Sequence, residues 1–138
     1  KHQLIYTFAF FGHGQPGTNQ GLHIWFNNPT SIRFGMYAND TDFYLSTNTN
    51  QWYHYVFTYQ NSSPWTKQAF RNGVALSPTL IQTQAQYTGL GPLRIGGIYG
   101  SGSSLGYGQF GHVKVYNKVL TQTEITQNFN ELRGRYGV

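Results

Sequence analysis

Between Trp52 and Tyr59 the sequence reads WYHYVFTY, a β-rich run with rings at positions of both parities. Successive side chains of a strand point to opposite faces, so Trp52, His54, Val56 and Thr58 share one face and Tyr53, Tyr55, Phe57 and Tyr59 the other. A strand with one solvated face alternates apolar with polar residues, whereas one that is apolar and aromatic on both faces belongs in the middle of a sheet, between two layers. That requirement rules out an isolated hairpin or a single exposed sheet.

The remainder of the chain supplies further strands. Leu4–Phe11, LIYTFAFF, reads as a strand covered on both sides, followed by a loop over Gly12–Gly17. Leu22–Phe26 and Ser31–Tyr37 alternate, with Ile24, Phe26, Ile32, Phe34 and Met36 inward and Arg33 and Tyr37 outward, and form a hairpin around Asn27-Asn28-Pro29. Asn39-Asp40-Thr41-Asp42, the only acidic cluster, is expected at a turn. Asn61–Lys67 is a polar loop carrying Trp65, and Gln68–Leu76 is a hairpin turning at Asn72-Gly73, a pair that tolerates positive φ. Leu80–Tyr87 reads as an edge strand or loop, Leu93–Ile98 as a short strand, and Tyr99–Gly108 as an exposed glycine-rich loop. Near the C-terminus Phe110, His112, Lys114 and Tyr116 alternate with Gly111, Val113 and Val115 as in a strand. Thr121 and Glu124 have capping-box spacing, Ile125, Phe129 and Leu132 form one helical stripe, and Gly134 is the expected left-handed stop. Short strands separated by turn signals, closed by one short helix, predict an all-β antiparallel β-sandwich occupying residues 1–138 as a single domain.

The C-terminal stretch from Gly108 to Val138, with its Val-Tyr-Asn-Lys-Val-Leu turn, its Thr-x-x-Glu-Ile helix start and its basic Arg-Gly-Arg-Tyr-Gly tail, resembles the closing segment of laminin-G-like domains of the concanavalin A-like lectin/glucanase superfamily. The tail is similar to versions in phage and marine viral virion proteins. Gln51–Tyr59 resembles the family's Trp-x-His strand, Gln68–Leu76 its Asn-Gly hairpin, and Leu93-Arg94-Ile95-Gly96-Gly97 a further motif, so the resemblance runs from about Gly21 to the C-terminus. It implies a concanavalin A-like jelly roll, a lectin or adhesion role, and calcium as a recurrent family ligand. Gly111 and His112 stand where the family often has acids, which removes any metal or salt bridge that used them.

Only 9% of residues are charged while 17% are aromatic, so the surface must be solvated by amides and hydroxyls. The net charge of +5 is spread along the chain, with only Arg133 and Arg135 close together, so it reads as a solvated basic surface and not a nucleic-acid footprint. There is no cysteine, hence no disulfide or thiolate metal site, and no apolar run approaches the roughly 20 residues a membrane helix needs. The chain starts at Lys1 without a methionine or a signal-like segment, and reads as a domain excised from a longer chain.

Glycoside hydrolysis requires two carboxyl groups flanking one bond, about 5 to 9 Å apart. The chain offers four acids: Asp40 and Asp42, read as turn caps, Glu124 committed to the helix cap, and Glu131 on the helix. The five histidines are scattered and no Gly-x-Ser-x-Gly elbow accompanies them. His54 reads as a histidine hydrogen-bonded within the sheet, and His13 as a loop residue. A catalytic role is therefore not expected. Calcium would have to come from Asn39, Asp40, Asp42 and loop carbonyls. Asn39-Asp40-Thr41 and Asn61-Ser62-Ser63 match the N-glycosylation pattern, a match that a chain rich in Asn and Thr produces by chance.

Binding remains. Sugars are held by aromatic faces and by amides and hydroxyls, and the loop residues least explained by a core are Trp65, Tyr99 and Tyr107, with Asn39, Asp40 and Asn61 as polar partners. The leading expectation is a non-catalytic carbohydrate-binding or adhesion module of a larger virion or cell-surface protein, extracellular or on a virion surface, that contacts a glycan or polysaccharide. The alternative is a structural or decoration domain that binds neighbouring protein subunits through its aromatics and the Arg133-Gly134-Arg135-Tyr136 tail. A glucanase-like hydrolase is the third.

Overall fold

The computed structural model describes residues 8–48, 50–99 and 108–138. Its elements in chain order are β1 (Ala9–Gly14), β2 (Gly21–Asn28), β3 (Ser31–Gly35), β4 (Asp40–Tyr44), β5 (Tyr55–Gln60), β6 (Thr66–Arg71), β7 (Val74–Ala75), β8 (Pro78–Ile81), β9 (Leu93–Ile95) and α1 (Gln122–Tyr136). They form a six-stranded sheet in the order β8-β4-β3-β2-β1-β9 and a three-stranded sheet in the order β5-β6-β7. Every pairing is antiparallel.

The alternation along β2, β3 and β4 decides what lies between the sheets. Ile24, Ile32, Phe34, Met36, Phe43 and Leu45 are buried on the inner side and meet Ala69 of β6, with Tyr55, Phe57 and Tyr59 of β5 packed against them. The opposite parity of the small sheet, Val56 and Phe70, packs on Leu120 and on Ile125 of α1. β5 thus lies between two layers, the large sheet on one side and the helix on the other, but it is the edge strand of the small sheet and not a middle strand: burial on both faces comes from the layers above and below, which ring content alone does not distinguish from a second strand neighbour. Strand Cβ alternation is what allows one strand to serve two cores.

Two turns bear out their sequence signals. Asn72 and Gly73 both have positive φ, 52° and 81°, in the two-residue link between β6 and β7. Thr121 caps α1: its hydroxyl accepts from the Glu124 N–H at 3.3 Å, and the Glu124 carboxylate accepts from the Thr121 N–H at 2.9 Å. Lys118 also pairs with Glu124, and together with the capping bond holds that exposed carboxyl down to about 2.

Several expectations are corrected. Gly134 does not stop the helix; α1 runs on to Tyr136 and the left-handed residue is Gly137, at φ 68°. The basic tail is therefore the last turn of α1, where Arg133 lies over the Phe129 ring and Arg135 over Tyr136. Gly12-His13-Gly14 belongs to β1 and not to a loop, and Asp40 and Asp42 belong to β4 and not to a turn. Residues 110–116 alternate but form no ladder; side-chain contacts to α1 hold them instead, with Tyr116 Oη donating to Asn128 Oδ1 at 3.3 Å and Lys114 Nζ 4.0 Å from Glu131. Alternation permits a strand, and the neighbours a segment finds decide whether one forms. The Leu4–Phe11 strand is seen from Ala9 on, and residues 1–7 lie outside the described range.

Candidate functional site

Three connections meet at one end of the sandwich: β1–β2 (15–20), β3–β4 (36–39) and β5–β6 (61–65), joined by residues 84–88. Asn19 organises them. Its N–H donates to the Tyr37 carbonyl at 3.1 Å, its carbonyl accepts from Thr88 N–H at 2.9 Å, and its side-chain oxygen accepts from Asn39 Nδ2 at 2.9 Å. Tyr59 and Tyr87 extend the lattice: Tyr59 Oη donates to the Ala85 carbonyl at 2.8 Å and accepts from Tyr87 N–H at 2.9 Å, while Asn61 Oδ1 accepts from the same N–H at 3.1 Å. Burial raises both phenols above their ordinary value, so both remain hydroxyl donors at neutral pH.

Lys67 ties this end to the second sheet. Its buried ammonium donates to the Asn39 carbonyl at 2.8 Å, to Asn39 Oδ1 at 2.6 Å and to Gln84 Oε1 at 3.2 Å, which satisfies all three of its donors. Burial lowers it from 10.5 to about 8, with the Asp40 charge opposing that fall.

The lattice presents rings outward. Tyr37, 41% exposed, meets Tyr99 edge-on at 5.6 Å between ring centroids. Tyr37 and Ala38 both hold φ 56°, a left-handed conformation that bulky residues rarely adopt and that is retained where surrounding bonds enforce it. Tyr99 is half-buried: its ring packs on His23 at 5.1 Å and lies where a Cβ on Gly21 would come within 2.8 Å of it. Glycine at position 21 is therefore what lets the tyrosine settle onto the sheet.

Beneath Tyr99, the outer face of the large sheet carries an ionic network. The β3–β4 register sets Arg33 opposite Asp42 and Gly35 opposite Asp40. Arg33 donates to Asp42 twice, from Nε at 2.7 Å and from Nη2 at 2.8 Å, and its Nη1 lies 3.2 Å from Asp40 Oδ2. His23 Nδ1 donates to the Gly21 carbonyl at 2.8 Å, which leaves Nε2 facing Asp40 Oδ1 at 3.4 Å. A Cβ at Gly35 would collide with both of those atoms, so the contact exists only because Gly35 has no side chain. Burial pushes the Asp40 carboxyl upward, but the contact with His23 and the charges of Arg33 and Lys67 outweigh it and hold the group below the usual carboxylate range.

The structure thus brings five of the six expected ligand residues to this end. Asn61 is exposed, Trp65 is half-buried in the same connection, and Tyr99 sits on the face beside it. Tyr107 lies outside the described residues. Asn39 and Asp40 are corrected in role, being 1% and 8% exposed and consumed by internal bonds. Asn39 joins Asn19 and Lys67, and Asp40 lies beside Arg33, so both side chains hold neighbouring elements together. His13 and His54 differ from expectation too: His13 Nδ1 is 2.7 Å from Tyr87 Oη, and His54 Nδ1 is buried with no hydrogen-bond partner. Tyr37, Asn19, Lys67, His23 and Arg33 were not anticipated as site residues. One signal was available for Arg33, because Arg33 and Asp42, like Gly35 and Asp40, are equidistant from the Tyr37-Ala38 turn and must face each other in any tight hairpin.

The acidic pair does not fit calcium, which needs six to eight oxygen ligands. Both carboxylates are already neutralised by Arg33, whose guanidinium stands where a metal ion would bind them. Among the described residues no group of three or more His, Asp or Glu side chains is placed to hold a metal ion.

With this geometry in place, comparison supplies the family. Residues 4–126 match the third laminin-G family model, described as the concanavalin A-like lectin/glucanases superfamily, and the chain belongs to that family. No curated protein and no solved structure matches the chain. The two antiparallel sheets and the C-terminal helix are those of a concanavalin A-like β-sandwich.

Proposed function

We propose that this domain is a non-catalytic carbohydrate-binding module and that its ligand surface is the loop end built on Tyr37, Tyr99, Asn61 and Trp65. The observation that carries the reading is the Tyr37–Tyr99 pair, with the Tyr37 backbone bonded to Asn19 and Tyr99 packed on His23 over Gly21, flanked by amide-bearing loops. Aromatic faces shed water readily against the C–H face of a pyranose, and amides exchange hydrogen bonds with its hydroxyls. Gln15 and Gln20, whose side chains are joined at 3.1 Å, and Asn61 supply such groups on exposed or half-buried loops. A preorganised platform also lowers the ordering cost of binding.

A superfamily that contains glucanases requires the hydrolytic alternative to be weighed. Asp40 and Asp42 share one arginine, Glu124 is a helix cap and Glu131 stands on α1, so no described pair of carboxyls flanks a groove with one member free to take up a proton. Extracellular or virion-surface placement is part of the proposal, as the setting in which glycans are met. Among the described residues no helix is long and apolar enough to cross a membrane. The decoration-domain alternative draws on exposed Leu93, Ile95, Val115 and Val119, while its basic tail is occupied by contacts to the domain's own rings.

The test is a glycan array followed by titration calorimetry on the best ligand. Tyr37→Ala and Tyr99→Ala are each expected to weaken binding by about 1 to 3 kcal/mol without loss of fold. Absence of any glycan binding, with ordered oligomers in light scattering, would favour the decoration reading instead.

A further inference from the structure

α1 is held to the body by few contacts, and one of them is a histidine whose Nδ1 has no acceptor for a second proton. Ile125 is its only fully buried residue. The other attachments are Gln122 Nε2 donating to the Gly73 carbonyl at 2.8 Å, the Phe129 ring against Gly73 and His54, and Tyr136 against Trp52 at 5.1 Å. The His54 ring lies 6.0 Å from Phe129, nearly parallel at 32°, and its Nδ1 is sealed from solvent without a partner.

The groups around this ring are almost all basic. From the 108–120 segment come His112 and Lys114, both close enough to oppose a positive charge on His54. From α1 come Arg133, stacked on the far partner Phe129, and Glu131, which is the one carboxylate at the seam and lies 4.0 Å from Lys114. On the strand side Arg71 pairs with Tyr55 and lies over Tyr53, on the face opposite His54, and so leaves His112 and Lys114 as the cations beside the ring. An imidazolium at position 54 would therefore place an N–H at the sealed Nδ1 with no acceptor, on a half-buried ring beside Lys114 and His112, which disfavours the charge.

What the seam closes is equally specific. Beside the seam lies a half-open cleft of about 1440 Å³ lined by Phe10, Phe26, Tyr55 and Phe57 together with residues 108–120 and Tyr136. We infer that the seam between α1 and the small sheet is an acid-sensitive latch: a proton on His54 releases α1 with the 108–120 segment and opens this aromatic cleft. Burial, followed by Lys114 and His112, lowers His54 from its ordinary 6.5. The docked state therefore prefers the neutral ring; its advantage is complete above 6.5 and declines as pH falls below 6.5 toward the docked-state value.

Hydrogen exchange of the intact protein at pH 7.5 and pH 5, corrected for intrinsic rates, tests this directly. The α1 amides are expected to exchange several-fold faster at the lower pH, with β2 and β3 unchanged and with increased binding of an apolar fluorescent dye. His54→Phe keeps the stacked ring, removes the titration and is expected to abolish the difference; His54→Gln serves the same comparison if the phenylalanine is not accommodated. Glu131→Gln, which removes the only opposing charge, is expected to move release to higher pH. Equal α1 exchange at both pH values in the wild type, or acid release that persists without His54, would overturn the inference.

Discussion

At the scale of single residues, the molecule's few charges are spent internally. Each of the four acids in the sequence has a cationic partner: Asp40 and Asp42 with Arg33, Glu124 with Lys118, and Glu131 with Lys114. Arg33 matters most, because removing it leaves two largely buried carboxylates sharing one face. Arg33→Ala is expected to cost about 3 to 5 kcal/mol in urea unfolding, whereas a surface pair such as Lys114–Glu131 is worth at most about 1 kcal/mol. Lys67 gives a prediction of the same pH sense as His54, in a more alkaline window. Its folded value of about 8 lies below the ordinary 10.5, so the unfolded chain holds its proton longer. Stability should therefore rise as pH increases from 8 toward 10. Urea midpoints at pH 7.5 and 9.5 check this, and Lys67→Met is expected to flatten the trend. Asp40 acts at the other extreme: its contribution is present above the ordinary carboxylate value of 3.8 and is lost as pH falls through its lower folded value.

At the scale of elements, what the sequence disclosed was local pattern. The two faces of β5, the Asn72-Gly73 turn and the Thr121–Glu124 box all depend on residues a few positions apart, and all three are present. Thr121→Ala should destabilise α1 by about 0.5 to 2 kcal/mol and increase exchange in its first turn before any strand is affected. Misplaced elements were those decided by distant partners. Asp40 and Asp42 read as solvated caps because their partners, His23 and Arg33, lie in other strands, although the symmetry about Tyr37-Ala38 could have revealed the Arg33 pairing. Residues 110–116 read as a strand because alternation cannot register that Tyr116 and Lys114 would be drawn to α1. Gly134 read as a stop because glycine permits left-handed backbone without requiring it, and α1 continues through that position to Gly137.

At the scale of the whole molecule, six strands and three strands enclose one aromatic core and leave the loops of one end to carry recognition. The sequence indicated the residue types of that end, rings and amides in Trp65, Tyr99 and Asn61, but not the Asn19–Tyr37–Asn39 lattice that fixes their arrangement, since those bonds join three separate connections. The lattice makes a prediction of its own: Asn19→Ala should weaken glycan binding while changing stability less than Arg33→Ala, because it loosens loops and spares the ionic face. Chemical-shift mapping of the labelled domain with its best array ligand tests the central claim most directly. The account predicts that perturbed amides cluster at residues 15–20, 36–38, 61–65 and 99. Perturbations centred on α1 or on the β8 edge, with that end silent, would contradict it.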